Sequence, residues 1–262
     1  MSTLVASAFV SSNDPRWPEG VPELAIDRHQ EWCKSQGAEY MLITDEDMEP
    51  FRKLSEWPNS WAFATLSKFV AIKRFLHRYL VSEFDRFIWM DLDCIPGPDA
   101  TIAAIREYGD NGITVSSKSL TENQLRDSDN LFLVCKYAFH LVEPFHPVSS
   151  HLMCLSGGMA NLLMQWVEDR NMFGSTDWME THNEDVKIAA AESESIWRGD
   201  AKAVDIQTSG NDEAYIEGWI QAKLISFGWY DNQLVANYNS HVDGLFTHYY
   251  GDAKRLIPEA LA

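Results

Sequence analysis

Basic residues are scarce in this chain: 21 Lys and Arg stand against 39 Asp and Glu in 262 residues, a formal charge of −18. A field of that sign repels phosphate backbones, which argues against nucleic-acid binding, although a bound cation and a few placed basic groups can neutralise a small anion locally. Cysteine is sparse too. Cys33, Cys94, Cys135 and Cys154 are scattered with no C-x-x-C pair, and His151 near Cys154 has no second pair to complete a zinc site. They read as reduced core thiols. Long apolar runs are missing: the longest weakly polar stretch, Leu152 to Met164, is interrupted by Ser156, Asn161 and two glycines, and is too short to cross a bilayer. The apolar run within Met1 to Ser12 has no basic segment before it and suits a strand better than a signal peptide. Internal repeats and low-complexity linkers are absent as well, so the expectation is a soluble chain in the cytoplasm or another reducing intracellular compartment, with no membrane span.

What is present is enough for a core: 45% hydrophobic and 23% charged residues exclude disorder. Leu4 to Val10 reads as a buried strand closed by the polar loop Ser11 to Pro15. Leu24, Ile26 and Trp32 amid charges predict a helix over Glu23 to Gln36, stopped by Gly37, and Tyr40 to Thr44 is a second strand. Ala62, Leu66, Phe69, Ile72, Leu76 and Tyr79 recur at helical spacing, which predicts a long helix from Trp61 to Leu80. Phe87 to Met90 is a strand that runs into Asp91-Leu92-Asp93 and is stopped by Pro96-Gly97-Pro98, after which Asp99 serves as N-cap for a helix to Tyr108. With a strand at Ile113 to Ser116, the order is β-α-β-α-β-α-β. That order means an α/β fold, a mostly parallel sheet flanked by helices. Beyond it come a strand at Leu131 to Val134, a helix from Met159 to Trp166, a polar stretch Asn171 to Asp200 and a helix near Asp212 to Lys223.

Asp91-Leu92-Asp93 is the first chemical signal, because ligands of open α/β sheets bind beyond the carboxyl ends of strands. Residues two apart on a strand point the same way, so the two carboxylates converge on one hard cation. The plainer reading is a solvated or helix-capping Asp-x-Asp loop. The second signal is Phe246-Thr247-His248-Tyr249-Tyr250-Gly251-Asp252-Ala253-Lys254. There a neutral imidazole can add a third ligand to a cation such as Mn²⁺, Gly251 permits close backbone approach, and Lys254 brings charge to a phosphate.

Taken together these segments resemble the glycosyltransferases of the GT-A fold, and within them the retaining, glycogenin-like family 8 group. Phe9-Val10-Ser11-Ser12-Asn13-Asp14 is similar to the family's first strand and nucleotide loop, and Thr65-Leu66-Ser67-Lys68-Phe69 to its donor-side helix. Trp89-Met90-Asp91-Leu92-Asp93 matches its D-x-D, and His248-x-x-Gly251-x-x-Lys254 its closing motif, all in family order. Gly210 to Tyr215 is similar to an acidic segment beside the sugar, and Ser156-Gly157-Gly158 stands where the family usually has Asn-x-Gly.

The resemblance implies one GT-A domain over residues 1–262, with a nucleotide-binding half at 1–120 and an acceptor and metal-completing half at 121–262. It implies a metal-dependent enzyme that moves a sugar from a nucleotide-sugar, UDP-linked by family habit, to a glycan, protein or small-molecule acceptor, with retention of configuration. Asp91, Asp93 and His248 would hold Mn²⁺ or Mg²⁺. Val10, Ser12 and Asn13 would contact the nucleoside, Lys68 and Ser156 the donor sugar, and Gly251 and Lys254 the diphosphate, with Leu92 and Gly157 also binding the nucleotide-sugar. Asp212 and Lys254 are the catalytic candidates. Trp219 and Trp229 are candidate acceptor-stacking rings. Two rivals remain at this stage: a haloacid-dehalogenase-class phosphatase with Asp91 as nucleophile, and an inactive sugar-binding protein. Cys94-Ile95-Pro96 is not the Gly-Thr turn that such a phosphatase carries after its aspartates.

Overall fold

Strand β3 (Arg86–Met90) is buried at every residue, and its side chains divide between two cores. Phe87 and Trp89 pack on one face with Phe69 and Phe75, while Ile88 and Met90 pack on the other with Trp32 and Cys33. The two-residue period of a strand sends alternate side chains to opposite faces, so a continuous apolar run is what a sheet covered on both sides requires. The same division holds in β1 (Thr3–Phe9), with Leu4 and Ala6 against Val5.

The computed structural model describes residues 2–10, 16–49, 60–80, 83–107, 131–136, 148–169, 216, 228–230, 234–239 and 244–262. Within them, β1 is followed by α1 (Val21–Ser35), β2 (Glu39–Thr44), the one-turn α2 (Asp45–Met48), α3 (Ser60–Tyr79), β3, β4 (Cys94–Pro96) and α4 (Ile102–Glu107). Then come β5 (Phe132–Lys136), β6 (Val148–Ser156), α5 (Gly157–Asp169), β7 (Gly228–Tyr230), β8 (Val235–Asn237) and β9 (Phe246–His248). A 3₁₀ helix (Gly251–Leu256) and α6 (Ile257–Leu261) close the chain. The main sheet has six strands in the order β2-β1-β3-β6-β5-β7, and β4-β9-β8 form a second, three-stranded sheet. Parallel pairs join β1 to β2, β1 to β3 and β5 to β7, whereas β6 runs antiparallel to both of its neighbours.

The expected α/β architecture is therefore present, with helices over both faces of a mostly parallel sheet. Several details differ from the sequence reading. The α4 cap is Thr101, whose Oγ1 accepts from the Ala104 amide at 3.0 Å; Asp99 falls too early because a turn from Gly97 to Ala100 precedes the helix. Pro96 does not end the structure after Asp93. It belongs to β4, an edge strand, where its missing N–H costs no ladder bond. Strand β6 carries buried Ser149, Ser150 and His151, so its first half lacks the apolar signature of an interior strand. The four cysteines are buried thiols outside any disulfide, as expected, and burial pushes Cys33 and Cys154 up to about 12, which keeps both protonated. The strand expected at Ile113 to Ser116, the polar stretch 171–200 and, apart from Ile216, the helix near Asp212 to Lys223 lie outside the described residues.

Gly157 opens α5 where the helix crosses Tyr79 of α3. A Cβ added there would stand 2.1 Å from the Tyr79 ring, whose neighbours include Phe75 at 5.9 Å between centroids. Overpacking of this kind displaces a ring or a helix. Gly157→Ala is expected to destabilise the protein by about 1–3 kcal/mol, measured as a fall in the urea midpoint at unchanged slope.

Candidate metal centre

The Asp91–Asp93 turn leaves the carboxyl end of β3, and the Cys94 amide closes it onto the Asp91 carbonyl at 2.9 Å. The chain then enters β4, which pairs antiparallel with β9 so that His248 lies opposite Cys94. The Tyr249 amide adds a bond to the Asp93 carbonyl at 2.8 Å. Strand pairing thus brings two motifs from distant parts of the sequence into one cluster. Asp91, Asp93 and His248 each offer a ligand atom, and these atoms lie within 4.8 Å of one another. Two carboxylates and an imidazole fit a cation such as Mn²⁺ or Mg²⁺.

Asp93 is buried, and Lys254 Nζ stands 2.6 Å from its Oδ2, while His248 Nε2 is 3.5 Å from its Oδ1. Burial alone would raise the Asp93 carboxyl, but the Lys254 cation more than offsets it and holds it well below the usual carboxylate range. Lys254 is itself buried, with its ammonium 5.2 Å from the centroid of the Trp17 ring, a cation–π placement. Gly251, at φ +59°, adopts the left-handed backbone that starts the 3₁₀ helix carrying Lys254, and Arg16 Nη1 is 3.8 Å from where a Cβ would sit.

Asp91 is partly exposed and accepts from Trp89 Nε1 at 2.5 Å. Lys68 lies 3.8 Å from the same Asp91 oxygen, is buried, and donates to the Ser150 hydroxyl at 2.5 Å and the Ser150 carbonyl at 3.2 Å. Of the residues named from sequence, the structure therefore gathers Asp91, Asp93, His248, Gly251, Lys254 and Lys68. The Val10 side chain is packed in the main core, and Leu92 in a small cluster with Val21, Ile95 and Ile257, so the main chain is what either could present to a ligand.

Ser156 and Gly157 are not brought to the centre. In the antiparallel register Ser156 is opposite Arg86, at the amino end of β3, whereas Met90 beside Asp91 is opposite Leu152. Ser156 Oγ instead accepts from the Met159 amide at 3.3 Å and is fully buried. The β6 residues that do reach the aspartates are Ser150 and His151, whose carbonyl accepts from the Asp91 amide at 2.8 Å. The motif reading placed the serine by position in the chain, and only the strand direction corrects it. Ser12, Asn13, Asp212 and Trp219 lie outside the described residues, as does the Trp229 side chain.

Several residues of the centre carry no motif. His151 stacks on His248 with centroids 4.1 Å apart and planes 10° apart; burial and neighbouring His248 hold it well below the ordinary histidine range, hence neutral. His29 is fully buried and burial lowers it to about 4. Its Nε2–H donates to the Cys94 carbonyl at 3.0 Å, and the Ser7 hydroxyl stands 3.0 Å from its Nδ1 and 2.7 Å from the Met90 carbonyl. The main chain on both sides of the aspartates is thereby held from α1 and β1. Tyr238 and Tyr250 are exposed rings 5.8 Å apart, with Tyr250 5.7 Å from His248. An alternating pattern marks none of these.

No family model matches the chain, and no curated protein does. Among solved structures, the fold is similar to that of the galactosyltransferase LgtC in complex with donor and acceptor sugar analogues, at 8% identity over 98% of this chain and 95% of that one, TM-score 0.50. It is similar also to mouse xyloside xylosyltransferase 1 in its apo form, at 9% identity over 97% of this chain and 99% of that one, TM-score 0.51. The chain has the GT-A glycosyltransferase fold. No described helix is long and apolar enough to cross a membrane.

The Asp93–Lys254 pair is buried, where removing one partner weakens the compensation of the other charge. Asp93→Asn is expected to cost about 3–5 kcal/mol in urea unfolding, and adding Lys254→Met should recover much of it. Because the folded Asp93 carboxyl is depressed, this contribution is full above the ordinary carboxylate range and is lost as pH falls toward the lowered folded value. The wild-type advantage over Asp93→Asn should accordingly shrink on acidification.

Proposed function

We propose that this protein is a divalent-metal-dependent glycosyltransferase that takes a sugar from a nucleotide-sugar, UDP-linked in preference to GDP, and transfers it to a glycan, protein or small-molecule acceptor. The observation that carries this reading is the cluster of Asp91, Asp93 and His248, with buried Lys254, at the carboxyl end of the central strand of a GT-A fold. Retention of configuration rests on the resemblance of the closing motif to the glycogenin-like group.

Cleaving the bond between an anomeric carbon and a nucleoside diphosphate develops negative charge on the departing β-phosphate. A cation held by the two aspartates and His248 would supply Lewis-acid stabilisation of that charge. Lys254 adds a fixed ammonium in a desolvated position, where its effect on the developing charge exceeds that on the ground state. Gly251 lets the diphosphate approach the main chain, and Val10, Ser12, Asn13 and the Leu92 main chain serve the nucleoside. Lys68, paired with Ser150 beside Asp91, orients donor-sugar hydroxyls. Asp212 is proposed as the electrostatic stabiliser of the oxocarbenium-like sugar in preference to a nucleophile. The exposed faces of Tyr238 and Tyr250 suit the apolar face of an acceptor sugar.

Isothermal titration with UDP, GDP and their sugar conjugates, in Mn²⁺ and in chelator, tests the proposal. Metal-dependent binding of a uridine nucleotide is expected, lost in Asp93→Ala and His248→Ala. Failure to bind any nucleotide in any metal condition would overturn it, and phosphatase activity would then be assayed. Once an acceptor is in hand, Lys254→Ala should lower kcat more than it raises KM; an effect on KM alone contradicts a transition-state role.

A further inference from the structure

His248 has a neighbour at each ring nitrogen, Asn237 outside the ligand cluster and Asp93 within it. β8 and β9 run parallel with Asn237 opposite His248, and the Tyr238 amide bonds the His248 carbonyl at 3.2 Å. In this register His248 Nδ1 lies 3.3 Å from Asn237 Oδ1, while Nε2 lies 3.5 Å from Asp93 Oδ1. The imidazole therefore bridges an amide oxygen and the aspartate cluster. An amide oxygen can only accept a hydrogen bond, so Nδ1 donates to it. A neutral imidazole carries one ring proton, which leaves the Nε2 lone pair facing Asp93. The parallel stack with His151 meanwhile fixes the plane of the ring.

We propose that Asn237 is a positioning residue: its side-chain oxygen holds His248 in the Nδ1–H tautomer, the one that presents Nε2 as a metal ligand. The inference rests on the reading of His248 as a ligand of the proposed cation. With no acceptor at position 237, Nε2–H donating to Asp93 becomes the favoured metal-free arrangement, and the cation must then displace that proton. Hydrogen-bond partners of ligating imidazoles typically contribute 10–100-fold to metal affinity.

The tautomer is measured first, without metal, from the ¹⁵N shifts of His248 in the full chain with chelator, at a pH well above the ordinary histidine range. Wild-type protein should show Nδ1 protonated, Asn237→Leu should shift the ring toward Nε2–H, and Asn237→Asp, which keeps an acceptor, should restore Nδ1–H. Mn²⁺ titration by electron paramagnetic resonance should then give about 10–100-fold weaker binding in Asn237→Leu and recovery in Asn237→Asp, with similar thermal midpoints. An Nε2–H wild type, or Asn237→Leu binding Mn²⁺ as wild type does, overturns the inference. Failure of wild-type protein to bind Mn²⁺ instead removes the metal reading, and the tautomer in the two variants still decides the role of Asn237.

Discussion

The contact between Asp93 and Lys254 is the constraint on which the site depends. Both side chains are buried, and an isolated charge in either position would be expelled or neutralised. Each is stabilised by the other. The 3₁₀ helix that carries Lys254 must therefore seat against the turn after β3, and this draws β9 and the small sheet against the end of the large one. Trp17, itself packed on the small cluster of Leu92, Ile95 and Ile257, covers the ammonium, and His248 flanks the carboxylate.

Around that pair the main chain is fixed by buried polar groups. His29 and Ser7 bond the carbonyls of Cys94 and Met90, and His151 receives the Asp91 amide. These bonds satisfy backbone groups that would otherwise be orphaned where a strand ends inside the protein. They also place the aspartate turn between three elements, β1, α1 and β6.

The large-scale fold was legible because its physics is local and periodic. The largely apolar runs of β1 and β3 and the helical spacing in α3 each point to one element type, and Asp-x-Asp at a strand end together with the closing motif points to the three residues that the structure clusters. What escaped was anything decided by strand direction. β6 runs antiparallel to β3, and that reversal carries Ser156 away from Asp91 and brings Ser150 and His151 toward it. Its buried serines and histidine also hide the strand, since their burial is justified by partners from elsewhere in the chain: Lys68 for Ser150, and the rings and main chain of the metal centre for His151. Asn237 is invisible for the same reason. Its meaning exists only in the register with His248.

Local charge gives the arrangement its logic in a chain of formal charge −18. Among the described residues closest to the cluster, Asp91 and Asp93 are matched by Lys68 and Lys254, so the centre without a cation is close to neutral. A neutral centre on an acidic protein has little attraction for a nucleoside diphosphate. A divalent cation would tip the same centre to net positive, and because the two lysines already offset the aspartates, its full charge would be available to the phosphates. On the proposed function the lysines would serve two states of one site: they offset the buried Asp93 and the partly exposed Asp91, and they would leave an excess of positive charge once a cation is bound. On this reading the cation is the switch that makes an acidic protein a binder of anions, and basic composition is not needed.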